Sequence, residues 1–211
     1  MMLKGVVLRA YKRGLLRVNP FAEFHIAKNI RERQYLTENE LQQLITHHFT
    51  DAAAAYVRDV FVFSALTGMS FVDISELRIS NIKMINGHYW IIASRHKTGI
   101  PFCVRLFNQP LDIVRRYRTP DRDIIFDRYS YFTVAKRLKT VLHECNITKS
   151  ITFHCARHSF AIMALNHGMP IESISRILGH SNISTTQIYV KANANTKLKE
   201  VYEKAHPRAK I

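Results

Sequence analysis

Apolar residues recur at helical spacing along most of the chain, and one interval switches to strand-like alternation. The run from Leu3 to Phe21 reads as a short basic amphipathic helix that stops at Gly14 or soon after, with Asn19-Pro20 marking a turn. Residues 22–35 are polar and basic, with Lys28, Arg31 and Arg33, and read as a linker. Thr37-Glu38-Asn39-Glu40 has the form of a capping box, with Leu41, Leu44 and Ile45 at helical spacing behind it. Asp51–Leu66 is a second helix, apolar enough for the core, and Gly68 ends it. Ser70 caps a third helix over residues 71–79, with Asp73 three positions on. The period then changes. Lys83–Arg95 reads as a hairpin around Asn86-Gly87, and Lys97-Thr98-Gly99 turns into a strand over Phe102–Phe107. Helices resume at Pro110–Tyr117, Tyr131–His143, Cys155–Asn166 and Ile171–Leu178, another starts at Ser184, and Asn195–Lys204 is a final amphipathic one. The expected architecture is mainly α (α+β), a helical bundle with one small antiparallel β-sheet.

Composition changes this picture in one respect. The 211 residues, 47% hydrophobic, are enough for one globular domain plus an appendage, so disorder is not expected. Charge is unusual: 31 Lys and Arg against 16 acidic residues give +15 and a pI near 10.0. A surplus that large suits a polyanion, with nucleic acid first, but does not by itself make an enzyme. Cys103, Cys145 and Cys155 stand at no metal-ligand spacing and read as reduced thiols. No apolar run has the length of a membrane span and no signal-peptide core is visible, so a soluble cytoplasmic protein is expected.

The chemistry concentrates between His154 and Tyr189. His154 and Arg157 form H-x-x-R, about one helical turn apart. His180 follows in Leu178-Gly179-His180, and Tyr189 lies nine residues further on. A tyrosine hydroxyl can attack phosphorus and become bonded to it, given cations on the non-bridging oxygens and proton donors or acceptors beside the attacking and leaving oxygens. Arg157 offers a planar fork of donors for a phosphate. His154 has the chemistry to accept the Tyr proton or hold a phosphate oxygen. The i,i+4 pair His154 and His158 also suits a metal, but the Glu of H-E-x-x-H and a third ligand are missing. His158 is therefore expected to pack or bond locally.

The ordered set His154, Arg157, His180 and Tyr189 resembles the tyrosine recombinases, the phage-integrase family of DNA breaking and joining enzymes, over the chain from about Arg31 to the end. The resemblance implies that Tyr189 is the nucleophile and leaves a 3′-phosphotyrosine and a free 5′-hydroxyl, with no ATP, metal or other cofactor. It also implies that Lys97, on the turn between the two strands, is the general acid for the leaving 5′-oxygen. An exposed lysine that merely contacts backbone phosphate is the competing reading. The first segment is similar to the end of a core-binding domain, so residues 1–28 are read as its remnant and 29–211 as the catalytic domain of a fragment or a shortened member. Double-stranded DNA is the expected partner. The C-terminal helix is expected to link four protomers on DNA, with a DNA-bending accessory protein possible.

One position departs from the family pattern. Thr67-Gly68-Met69-Ser70 has serine where the family usually carries the first of two phosphate-clamping arginines. Arg95 is the first candidate to replace it, since two residues along a strand share a face and Lys97 is two further on. Arg78 is the second. A serine here, and the tail TTQIYVKANANTKLKEVYEKA, resemble a subgroup of recombinases carried by mobile elements of Bacteroidetes-type bacteria. The alternatives are a recombinase-like DNA-binding protein that no longer cleaves, and a type IB topoisomerase-like enzyme.

Overall fold

The computed structural model describes residues 2–23, 34–190 and 193–194. Two compact units divide the chain, Met1–Glu32 and Arg33–Ile211. In the first, α1 (Met2–Lys12) is followed by Gly14 in the left-handed region at φ 73°, where a glycine ends the helix without steric cost. The expected linker lies largely outside the described residues, as does the expected final helix Asn195–Lys204.

The second unit begins with α2 (Glu38–Thr46). Thr37 accepts from the Glu40 N–H, and the Glu40 carboxylate accepts from the Thr37 N–H at 2.7 Å, the reciprocal pair read from the sequence. The central helix is α3 (Ala52–Thr67), capped by Asp51 and ended by Gly68 at φ 69°. Its Val57, Val60, Phe61, Val62, Phe63 and Ala65 are buried in the main core. Around it pack α5 (Asn108–Tyr117), α6 (Tyr131–Glu144) and α7 (Cys155–Asn166), which follow the short α4 (Phe71–Ser75) and the sheet. α8 (Ile171–Leu178) and a last helical stretch, α9 (residues 184–190), form a second cluster with Phe160 and Tyr189.

The sheet is a three-stranded antiparallel meander, β1 (Ile82–Ile85), β2 (His88–Ser94) and β3 (Pro101–Leu106). Asn86 and Gly87 both have positive φ, 50° and 74°, as a two-residue type I′ hairpin requires. Ile91 pairs with Val104 and both are buried. Phe102, Val104 and Leu106 alternate inward, so the strand period of two puts one face on the core.

The third helix is shorter than its pattern implies. α4 stops at Ser75, and a 3-10 turn follows at Ile79–Asn81. The reason is a competing partner: Ile79 N–H donates to Asp123 O at 2.8 Å, Ile125 N–H donates to Leu77 O, and Arg78 bridges Ile124. These backbone bonds draw residues 77–79 out of the helix into an extended pairing.

A buried charge ties α3 to α5. Asp59, 3% exposed, accepts from Arg58 Nε, Arg116 Nη1 and the Tyr117 hydroxyl. Burial and the Asp59 charge push the Tyr117 hydroxyl above its ordinary value, so it stays a donor. Asp59→Ala leaves two guanidinium groups without their carboxylate and is expected to lower stability by roughly 3 kcal/mol in urea unfolding. A change under 1 kcal/mol would show that the network is dispensable.

Candidate active site

Several elements converge at the C-terminal end of α8. Arg157, on α7, is 8% exposed. Its Nη1 donates to Gly68 O at 2.6 Å and its Nη2 to Leu178 O at 2.8 Å. Both acceptors lie at helix C-terminal ends, where carbonyls lack intrahelical partners and carry partial negative charge. The H-x-x-R arginine is thus seated by the Thr67-Gly68 turn on one side and Leu178-Gly179 on the other.

Arg95 arrives from the sheet. It directly follows β2 and is 5% exposed. Nη1 donates to Asp73 Oδ2 at 2.7 Å, and Nη2 donates to Ile177 O, the carbonyl beside the one that Arg157 uses. Its guanidinium carbon stands 3.8 Å from the centroid of the Phe102 ring, and its stem lies against Gly179. A Cβ on Gly179 would come within 2.7 Å of Arg95 Cγ, and Gly179 has φ 63°, so this glycine serves both the backbone turn and the close approach. Arg95 Nε is buried with no acceptor among the described residues.

Asp73 gathers the groups around Arg95. Besides Arg95, it accepts from the Ser70 hydroxyl at 2.7 Å and from the His96 N–H at 3.0 Å. Burial pushes its carboxyl up, but the His96 N–H, the Ser70 hydroxyl and Arg95 outweigh that and hold it below the usual carboxylate value. Ser70 therefore sits in the same hydrogen-bonded group as Arg95. Burial and then the charge of Arg95 push the Arg157 guanidinium down to about 10, with Tyr189 and Asp73 opposing. The two arginines are near enough to act on each other.

Arg78 lies elsewhere. Its half-exposed guanidinium pairs with Asp123 at 3.4 Å. Lys97 is exposed on the turn between β2 and β3, where Gly99 N–H donates to Arg95 O at 2.7 Å. The expectation that Arg95 and Lys97 share a strand face is incorrect. β2 ends at Ser94, and the turn sends Arg95 inward and Lys97 outward.

Tyr189, on α9, is 3% exposed and packs in the second core cluster. Its hydroxyl lies 2.8 Å from His158 Nδ1. His154, at the N-cap of α7, is exposed, and its ring meets that of His158 edge-on at 4.5 Å. His158, expected to pack or bond locally, is buried and bonds across to α9. His180 is half-buried, with Nδ1 2.8 Å from Thr186 Oγ1, and Thr186 is fully buried on α9. Sequence reasoning missed three members of this group: Asp73, His158 and Thr186. The Ser70-x-x-Asp73 cap spacing and the i,i+4 histidine pair were the signals available. Among the described residues, no group of three His, Cys, Asp or Glu is arranged to hold a metal ion.

The sequence model of the phage integrase family matches residues 34–196. The chain belongs to the phage integrase family. Among similar curated proteins, a tyrosine recombinase XerC of Histophilus somni is 27% identical over 209 residues, covering 93% of this chain and 70% of its own. One from Vibrio vulnificus is 28% identical and covers 94% and 66%. Among solved structures, the integrase of the transposon Tn1549 in complex with a circular intermediate DNA superposes with a TM-score of 0.71 at 18% identity, covering 94% of this chain and 76% of that one. XerA recombinase gives a TM-score of 0.63 at 26% identity, covering 98% and 75%. XerH, bound to its difH substrate in a post-cleavage complex, gives 0.66 at 18% identity, covering 82% and 53%. The chain thus spans about two thirds of the length of these curated relatives and about half of XerH. The mainly helical fold with a small antiparallel sheet is that of these recombinase catalytic domains.

The Asp73 carboxyl carries a pH prediction. Its folded-state value lies below the unfolded value of about 3.9. Its ionised form thus stabilises the fold above that value, and the contribution is lost as pH falls through the folded value. Asp73→Asn is expected to cost about 1–3 kcal/mol at pH 7 and to flatten the acid limb of stability measured from pH 6 to 2. An unchanged acid limb would show that other carboxylates govern it.

Proposed function

We propose that this chain is the catalytic part of a site-specific DNA recombinase that cleaves and rejoins strands through a covalent 3′-phosphotyrosine. The observation that carries this is the meeting of Arg157, Arg95 and the α8 C-terminus beside the helix that bears Tyr189. Tyr189 is the nucleophile. Arg157 and Arg95 hold the non-bridging oxygens of the scissile phosphate, with His154 and His180 bonding the same group. Lys97, free to swing on its turn, protonates the leaving 5′-oxygen. The unpaired Arg95 Nε supports this role, because a buried donor without an acceptor is costly and a phosphate oxygen would satisfy it. Hydrolysis is not needed for rejoining, since the phosphotyrosine keeps the energy of the broken bond.

The substrate is double-stranded DNA, met by a chain of net charge +15. No helix among the described residues is long and apolar enough to cross a membrane, and the site of action is the cytoplasm. Residues 1–28 are the end of a core-binding domain, and 29–211 form the catalytic domain. On DNA the enzyme works as a tetramer linked through its C-terminal segment, an assembly that leaves room for a DNA-bending accessory protein. Ser70 beside Arg95 supports placing the chain with the mobile-element recombinases of Bacteroidetes-type bacteria. The second reading, a DNA-binding protein that does not cleave, is motivated by the serine at position 70.

A nicked suicide duplex and a denaturing gel decide between them. The parent is expected to give a covalent band and Tyr189→Phe none. Arg95→Ala should bind DNA but form adduct about 100- to 1,000-fold more slowly, the loss expected for one preorganised donor to the transition state. No adduct from a parent that demonstrably binds the duplex would favour the non-cleaving reading.

A further inference from the structure

Within hydrogen-bond reach of the attacking oxygen lies the histidine that follows the arginine of H-x-x-R. Of the two imidazoles on α7, the one at the Tyr189 hydroxyl is His158, with Nδ1 at 2.8 Å and ring centroids 5.2 Å apart. Both residues are buried, His158 to 5% and Tyr189 to 3% exposure. His154 is exposed at the helix start and touches the ring of His158. We propose that His158, rather than His154, accepts the Tyr189 proton during cleavage and returns it during rejoining; the inference rests on the recombinase reading above.

A general base has to lie within hydrogen-bond reach of the proton it takes, and only then does its proton affinity matter. A neutral imidazole protonated on Nε2 presents Nδ1 as an acceptor. In the cleavage step the Tyr189 O–H bond breaks and its proton passes to His158 Nδ1. The phenolic oxygen forms a bond to phosphorus, and the bond from phosphorus to the 5′-oxygen breaks. That oxygen takes a proton from the Lys97 ammonium and leaves as a hydroxyl. Rejoining runs the same transfers backwards.

Among the described residues, charged and titratable groups approach this pair from several elements. Arg157 precedes His158 on α7, and its charge acts on Tyr189, favouring the phenolate. Arg95 and Asp73 act on Arg157 from β2 and α4. Tyr35, ahead of α2, packs against the cluster that holds Tyr189. His154 is left on the solvent side, placed to bond a phosphate oxygen. This division explains why two histidines one turn apart have such different exposure.

The test is the rate of adduct formation by the full chain on the nicked duplex from pH 5 to 9. Parent, Tyr189→Phe, His154→Asn and His158→Asn are compared, with DNA binding and a urea melt for each. Asparagine keeps a polar group near the Nδ1 position but takes up no proton. The parental rate is expected to rise with pH and level off once the accepting imidazole is neutral. His158→Asn should bind DNA like the parent, react at least about 100-fold more slowly at pH 7, and keep rising to pH 9 without a plateau. His154→Asn should react more slowly but keep the plateau. Loss of the plateau in His154→Asn, with the parental profile retained in His158→Asn, overturns the proposal. A second measurement needs neither variant nor DNA. Nitrogen-15 NMR of the histidine-labelled parent should show His158 Nδ1 unprotonated at pH 8, and a protonated Nδ1 there overturns the assignment. A parent without adduct removes the recombinase reading itself, whereas an active parent with an unaltered His158→Asn profile removes only this one.

Discussion

Two guanidinium groups buried side by side are the constraint around which this site is built. Each loses hydration, and each raises the cost of charging the other. Three kinds of negative charge offset them. Asp73 supplies a full charge, and Ile177 and Leu178 supply consecutive carbonyls at the C-terminal end of α8. Gly68 supplies a carbonyl at the end of α3. The helix ends are therefore more than terminations. Gly68 and Gly179 take left-handed conformations that leave those carbonyls free to face the arginines. The fold holds cationic donors in fixed directions before any anion arrives, which is how a preorganised site avoids reorganisation cost during reaction.

Position 70 holds a serine that joins this arrangement. In the family pattern that place belongs to an arginine, and here its hydroxyl donates to the carboxylate that binds Arg95. The positive charge reaches the α8 terminus from the sheet instead of from the α3–α4 turn. What the chemistry needs is a guanidinium at a location, and a location can be reached from more than one element. The β2–β3 turn then carries two jobs at once. Arg95 is fixed inward by Asp73, Ile177 and the Phe102 ring, while Lys97, two residues later, stays on the exposed turn. A rigid anchor next to a free amine suits a proton donor that has to meet DNA as it binds.

Much of the fold was legible because local rules and tertiary packing agree. Thr37 and Glu40, Asp51, Ser70 and the Asn86-Gly87 turn each do locally what their chemistry favours. The pattern failed where a distant partner competed. Residues 77–79 keep helical periodicity, yet backbone bonds to residues 123–125 take them. Period two predicted a shared face for Arg95 and Lys97, but that rule ends with the strand, one residue before Arg95. The ordered residues from His154 to Tyr189 pointed to the family without revealing who touches whom. His158 was set aside because spacing along one helix says nothing about what another helix brings to it. Only the packing of α9 on α7 makes it a partner of Tyr189.

α9 carries this argument one step further. It meets the site through two side chains three residues apart, Thr186 on His180 and Tyr189 on His158. Residues at that spacing share a helix face, so both contacts form or break together. Any displacement of α9 moves Tyr189 relative to His158 and His180 relative to Thr186 together. The position of α9 and the orientation of His180 are therefore one variable. Whatever fixes the position of α9 thus acts on Tyr189 and His180 at the same moment.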